Sequence, residues 1–217
     1  MKGKFLVAAA AFVLFAAQAK AGPIPYGNVG TPAPTNIFTA PVTGGIDVWY
    51  YGSGGAYTDW VRVVDVTSGK SSAWFFDNKA TALGSERQDV LNVTAGDVLE
   101  FDIEDTNVTS FDGNSYPGGI VLTSNPLDSP DGYNHAYATP WTGGYLPGTL
   151  GVILPTSING SPVTFVGMED LPVPGSDLNY DDDTFLYADV TPEPGSFLLL
   201  GTGLLGLAGL VRRKLRA

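Results

Sequence analysis

The chain has 217 residues, with 22 Asp and Glu against 11 Lys and Arg, one histidine and no cysteine. Disulfides and thiolate metal sites are excluded, and a lone histidine cannot build a histidine-based zinc centre, which takes at least two nitrogen or sulfur ligands. Seven basic residues lie towards the ends (Lys2, Lys4, Lys20, Arg212, Arg213, Lys214, Arg216), so residues 22–194 hold four bases against all 22 acids, a net charge of −18 that repels nucleic acid and anionic lipid and attracts cations.

The first element is Met1-Lys2-Gly3-Lys4, an apolar run from Phe5 to Ala17, and a small-x-small step at Ala19-Lys20-Ala21. Residues 1–21 read as a secretory signal peptide, a short helix handled by the secretion translocon and signal peptidase, with cleavage after Ala19 as the alternative. Residues 22–36 are rich in Pro, Gly, Thr and Asn without an apolar period, and read as an extended lead-in.

Residues 37–190 alternate short β-rich runs with turn residues. The runs include Ile46 to Tyr51, Trp60 to Val66, Ser72 to Phe76, Asp89 to Val93, Asp97 to Ile103, Gly119 to Thr123, Ala136 to Ala138, Leu150 to Leu154, Val163 to Val166 and Phe185 to Val190. Ala95-Gly96 is placed to turn a hairpin between two of them. In Asp97 to Ile103 and just beyond, Val98, Glu100, Asp102 and Glu104 share one face, while Leu99, Phe101 and Ile103 share the other. About ten short strands predict one all-β domain, an antiparallel β-sandwich or jelly roll.

The last element begins at Thr191. Pro192-Glu193-Pro194 precedes 17 uncharged residues from Gly195 to Val211, then Arg212-Arg213-Lys214. At about 1.5 Å per residue, a helix over 195–211 just spans a thin hydrocarbon core, with the basic cluster held on the cytoplasmic side. On hydropathy alone, residues 191–217 are a membrane anchor.

Acids concentrate near the end of the body. Glu169-Asp170 is followed by a Pro/Gly turn and by Asp177-Leu178-Asn179-Tyr180-Asp181-Asp182-Asp183. The alternation of Asp177, Asn179, Asp181 and Asp183 suits calcium, which takes six to eight oxygen ligands. It is not an EF-hand, since Asp182 and Ala188 stand where that loop has Gly and Glu. The bland alternative is a solvated acidic turn. A second set, Glu100, Asp102, Glu104, Asp105, Asn107, Asp112 and Asn114, reads first as the polar face of an edge strand and its loop, with another cation site, or convergence with the first, as the alternative. His135 lacks a partnered nucleophile, and no serine sits in a Gly-x-Ser-x-Gly elbow, so the domain is expected to be non-enzymatic. Tyr57 and Trp141, in loops, are the candidates for stacking on a sugar.

Pro192-Glu193-Pro194, the short glycine-rich apolar helix and the terminal basic cluster resemble the PEP-CTERM sorting signal of exported proteins in Gram-negative bacteria that make extracellular polysaccharide. The resemblance implies an exosortase as partner, cleavage near Pro194, and a tail that serves transit to the cell surface or extracellular matrix. Residues 167–185, with Glu169-Asp170 and Asp177-x-Asn179-Tyr180-Asp181-Asp182, also resemble the closing signature of an uncharacterised exported domain family. Asn125-Pro126 and Asp131 to His135 resemble that family's turn and histidine element. Here Asn179 and Asp181 exchange the family's usual Asp and Asn, and Pro172-Val173-Pro174 replaces turn glycines. The expected role is a structural or adhesive, calcium-stabilised component among anionic exopolysaccharides of a biofilm matrix. The alternatives are a carbohydrate-binding module and a carboxylate glycosidase.

Overall fold

The computed structural model describes residues 26–149 and 151–191. The expected signal helix over 1–21, the transmembrane helix over 195–211 and the sorting residues Pro192, Glu193, Pro194, Arg212, Arg213 and Lys214 lie outside the described residues. Among the described residues there are 18 strands, all antiparallel in their pairing, and no helix long and apolar enough to cross a membrane. The expected all-β, antiparallel class is what the chain adopts. The strand number exceeds ten because many are two-residue bridges, too short to leave a periodic signal.

Two sheets carry the fold. In the first, Val98–Asp105 lies between Asp59–Asp65 on one side and Phe38–Thr39 and Ile120–Thr123 on the other, while Lys70–Ser71 and Phe76–Asp77 pair the far edge of Asp59–Asp65. In the second, the order is Ala136–Pro140, Thr164–Met168, Asp183–Val190, Gly44–Gly52, with Glu86–Arg87 and Asn92–Val93 beyond. The inward residues of both belong to one buried cluster: Val61, Val63, Phe101 and Ile103 from the first sheet, and Ile46, Val48, Phe185 and Tyr187 from the second. Phe101 bridges the gap, with ring centroids 5.2 Å from Phe185 and 4.9 Å from Tyr187. Fully burying one such side chain stabilises the fold by about 1.5–3 kcal/mol.

The second sheet is covered on its other face too. Trp49, Tyr51, Phe165 and Leu186 pack there against Trp141, Leu146, Leu154 and Val163 from the 141–163 segment. Asp183–Val190 is consequently buried at every position. This is why its sequence is nearly continuously apolar after Thr184, unlike the alternating Asp59–Asp65 with one covered face.

One expectation is corrected. Ala95-Gly96 does not join hairpin partners. Asn92–Val93 pairs with Gly44–Gly45 in the second sheet, whereas Val98–Asp105 belongs to the first, so the tight turn carries the chain between sheets. Local turn chemistry signals a reversal, but partner choice is set by where Val93 and Leu99 bury. The described part of the lead-in makes a turn at residues 27–31 and is docked: Tyr26 and Ala33 form a small buried cluster with Leu178 and Tyr180.

Candidate metal centre

Four strands reach the same end of the molecule, and each has an inward aspartate next to its last inward apolar residue. Alternation makes this explicit. Asp59 shares a face with Val61 and Val63, Asp105 with Phe101 and Ile103, Asp170 with Val166 and Met168, and Asp183 with Phe185 and Tyr187. Asp59 stands directly opposite Asp105 in the first sheet, and Asp183 opposite Met168 in the second. Glu169 and Asp182 flank the pair of strands that brings Asp170 and Asp183 together. All six carboxylates are buried, Asp59, Asp105 and Asp183 completely.

Two groupings result. Asp59, Asp105 and Asp170 each place a carboxylate oxygen within 4.8 Å of the other two, and so do Glu169, Asp170 and Asp182. The chain tethers one oxygen on most of them. Asp59 Oδ2 accepts from Asn78 Nδ2 at 2.6 Å, and Asp105 Oδ1 accepts from the Asn107 N–H at 2.7 Å. Glu169 Oε2 accepts from the Asn179 N–H, and Asp182 Oδ2 from the Asp170 N–H, each at 3.1 Å. The opposite oxygens are left over. Asp59 Oδ1, Asp105 Oδ2, Asp170 Oδ2 and both oxygens of Asp183 are buried without a hydrogen-bond partner among the described residues. Such groups cost free energy unless compensated, and ionised ones cost most.

The electrostatics follow. Burial is the largest cause of the upward shift at every member of the cluster, with neighbouring carboxylates adding to it at all but Asp105. Asp59 is pushed up to about 8, Glu169 to about 8 and Asp170 to about 9. Asp182 rises to about 6, held back by the Asp170 N–H, and Asp183 is driven well above the usual carboxylate range. Asp59 and Asp170 approach closely enough to share a proton; when both are ionised, no donor lies between them. Lys79, whose charge opposes the rise at Asp183, is exposed and donates its ammonium to the Gly55 carbonyl. An all-oxygen site of clustered carboxylates suits a hard divalent cation.

The expected calcium residues divide. Glu169, Asp170, Asp182 and Asp183 converge, whereas Asp177, Asn179 and Asp181 do not. Asp177 is exposed, and its carboxylate accepts from the N–H and side-chain amide of Asn179. Asn179 Oδ1 in turn accepts from the Asp181 N–H. Alternate residues Leu178 and Tyr180 adopt left-handed φ values of 53° and 59° and turn into the Tyr26 cluster. Strain of this kind costs on the order of 1–3 kcal/mol per residue. It is offset by burial and by the Tyr180 hydroxyl, which accepts from the Ala33 N–H and donates to the Asn134 carbonyl. The alternation thus builds a capped turn beside the cluster. The turn closes against Gly54, where a Cβ would lie 2.6 Å from the Asp181 carboxylate.

Asp59 is the member that sequence reasoning missed as part of this centre. Asp105 was assigned to the second acidic set, and that set is dispersed. Glu100 and Asp102 are buried on the outer face of the first sheet, where Asp102 Oδ2 accepts from Arg62 Nε at 2.7 Å. Glu104 is half-buried, Asn107 is exposed and tethers Asp105, and Asp112 and Asn114 sit in the exposed hairpin of Ser110–Phe111 with Asn114–Ser115. The signal that singles out Asp59 and Asp105 is parity: an acid on the apolar side of a strand, one step past its last core residue.

The remaining candidates separate clearly. Tyr57 is 39% exposed. Trp141 is 5% exposed, packs edge-on to Tyr51 and donates its indole N–H to the Leu154 carbonyl, which leaves no face for a sugar. That corrects its placement as a surface platform: the 141–163 segment is a lid over the second sheet, not a projecting loop. His135 is fully buried, with Nδ1 3.1 Å from the Glu169 carbonyl and Nε2 2.9 Å from Asp131 Oδ2. The ring therefore ties the Asp131 carboxylate to the Glu169 backbone. Burial opposes ionisation of Asp131, but the His135 contact and the Val173 and Tyr133 N–H groups hold it down at about 2. This pair of contacts fixes the backbone immediately before Asp170.

Residues 190–214 match the family described as the PEP-CTERM protein-sorting motif. The chain carries that motif, which marks an exported protein sorted by an exosortase. No curated protein matches the chain.

Proposed function

We propose that the chain is a non-enzymatic protein of the bacterial cell surface or extracellular matrix, structural or adhesive in role. Its β-sandwich is closed at one end by calcium. The export half of this reading rests on the sorting motif at 190–214. The calcium half rests on one observation: carboxylates brought from four strand ends bury oxygens that no donor among the described residues reaches. Calcium fits better than magnesium, because magnesium dehydrates reluctantly and keeps several waters, while calcium accepts crowded carboxylates at about 2.3–2.6 Å. The −18 body and its bound cations would meet anionic exopolysaccharide through shared calcium, and nucleic acid is not a partner.

The test is a thermal melt of the full chain in detergent, with EDTA and then with excess calcium. An ion held at 1,000 times its Kd adds about 4 kcal/mol, which for a domain of this size is on the order of 10 °C. The expected result is a loss of that order in EDTA and full recovery with calcium. Coincident melting curves would overturn the calcium half.

A further inference from the structure

We infer that the centre seats two calcium ions, one between Asp59, Asp105 and Asp170 and one between Glu169, Asp170 and Asp182, with Asp170 shared. The inference rests on the calcium reading above and deepens it. Oxygens in one calcium shell lie no more than about 5 Å apart, twice the metal–oxygen distance. Each trio meets that limit, with its oxygens within 4.8 Å of one another. The two trios overlap only at Asp170, so the five carboxylates do not form one set within 4.8 Å.

Charge leads to the same number. The two trios hold five carboxylates between them. One divalent ion would leave three negative charges uncompensated in a buried site, and two ions leave one. Uncompensated buried charges are costly, and a single ion leaves the centre far from neutral. The tethers support two distinct seats. Asn78 and Asn107 orient the first pair of ligands, Asp59 and Asp105, from the first-sheet side. Asn179 and the Asp170 N–H orient Glu169 and Asp182 from the acidic turn. Asp170, with a buried oxygen lacking any donor, stands where the two sides meet. Asp183, buried beside Asp170 and Asp182, lies outside both trios.

The experiment counts calcium bound by the full chain in detergent, using isothermal titration together with elemental analysis after dialysis. Two ions per chain are expected for the native sequence. Asp105→Asn should bind one and Glu169→Gln should bind one, each with native circular dichroism. A native count of one overturns the two-seat inference while leaving the calcium reading intact, and a count of zero overturns both. If either variant fails to fold, the native count still decides. If each folded variant loses all bound calcium, the seats are not separate and the inference fails.

Discussion

The strand Asp59–Asp65 has an inward aspartate at each end, and the two have opposite fates. Both are buried on the same face. Asp65 is answered by its own chain: Oδ1 accepts from the Ser68 N–H at 3.0 Å and Oδ2 from the Ser68 hydroxyl. Burial tends to raise Asp65, but those hydrogen bonds outweigh it and its pKa is lowered. Asp59 has Asn78 on one oxygen, nothing on the other, and carboxylates for neighbours. Asp102, on the opposite face of the same sheet, takes a third course and borrows the Arg62 guanidinium, which also stacks 4.5 Å from the Trp74 ring. The chain therefore supplies its own donors and cations at two places and withholds them at one. The withheld place is the centre proposed to take an ion from solution.

The largest expected effect separates the two ends by pH. In the metal-free folded chain Asp59, Glu169 and Asp170 keep protons up to about pH 8–9, while unfolded they release them near pH 4. The folded state binds more protons across that window, so its stability falls as pH rises through it. Melting temperature in EDTA should decline steadily from pH 5 to pH 9, and calcium should remove most of that slope. Asp65 has the reverse sign: its depressed pKa contributes stability above about pH 4 that is lost on further acidification. An EDTA curve that is flat between pH 5 and pH 9 would break the contrast.

Next in size is Asp170→Asn. It should remove the whole calcium increment, about 4 kcal/mol under saturating conditions, and it should stabilise the chain in EDTA by deleting a buried acid. Paired denaturant melts with and without calcium measure both signs. Arg62→Ala should cost about 1–2 kcal/mol, reduced from the fully buried case because the guanidinium is partly exposed. That loss should be the same with and without calcium. Smallest is Ser68→Ala, which strips the hydroxyl from Asp65 but leaves the backbone N–H, at a cost of about 1 kcal/mol. It too should be indifferent to calcium. A calcium-dependent loss in either variant would mean that the ends are coupled.

The sequence made the β class, the export signals and the Glu169–Asp183 acid run legible, because each is written in local composition. The precise ligands were not local. Asp59 and Asp105 reach Asp170 only through strand register, and register depends on which apolar residues bury together. The Asp177-x-Asn179-x-Asp181 alternation misled for a physical reason: short polar side chains hydrogen-bond their own backbone two residues on, so the same pattern that could ring an ion instead caps a turn. Trp141 misled because a lid segment reads as a loop.

The sorting motif begins on Val190, the final residue of a strand that is hydrogen-bonded on both sides, to Gly44–Gly52 and to Thr164–Met168. Ladder hydrogen bonds run perpendicular to the strands. A pull applied at Thr191 along the strand therefore loads the rungs on both sides together in shear instead of opening them one at a time. The acidic centre sits at the far end of that same strand, so ions bound there would act as a stop against its withdrawal. Traction at the C-terminus is therefore borne by the two ladders of Asp183–Val190.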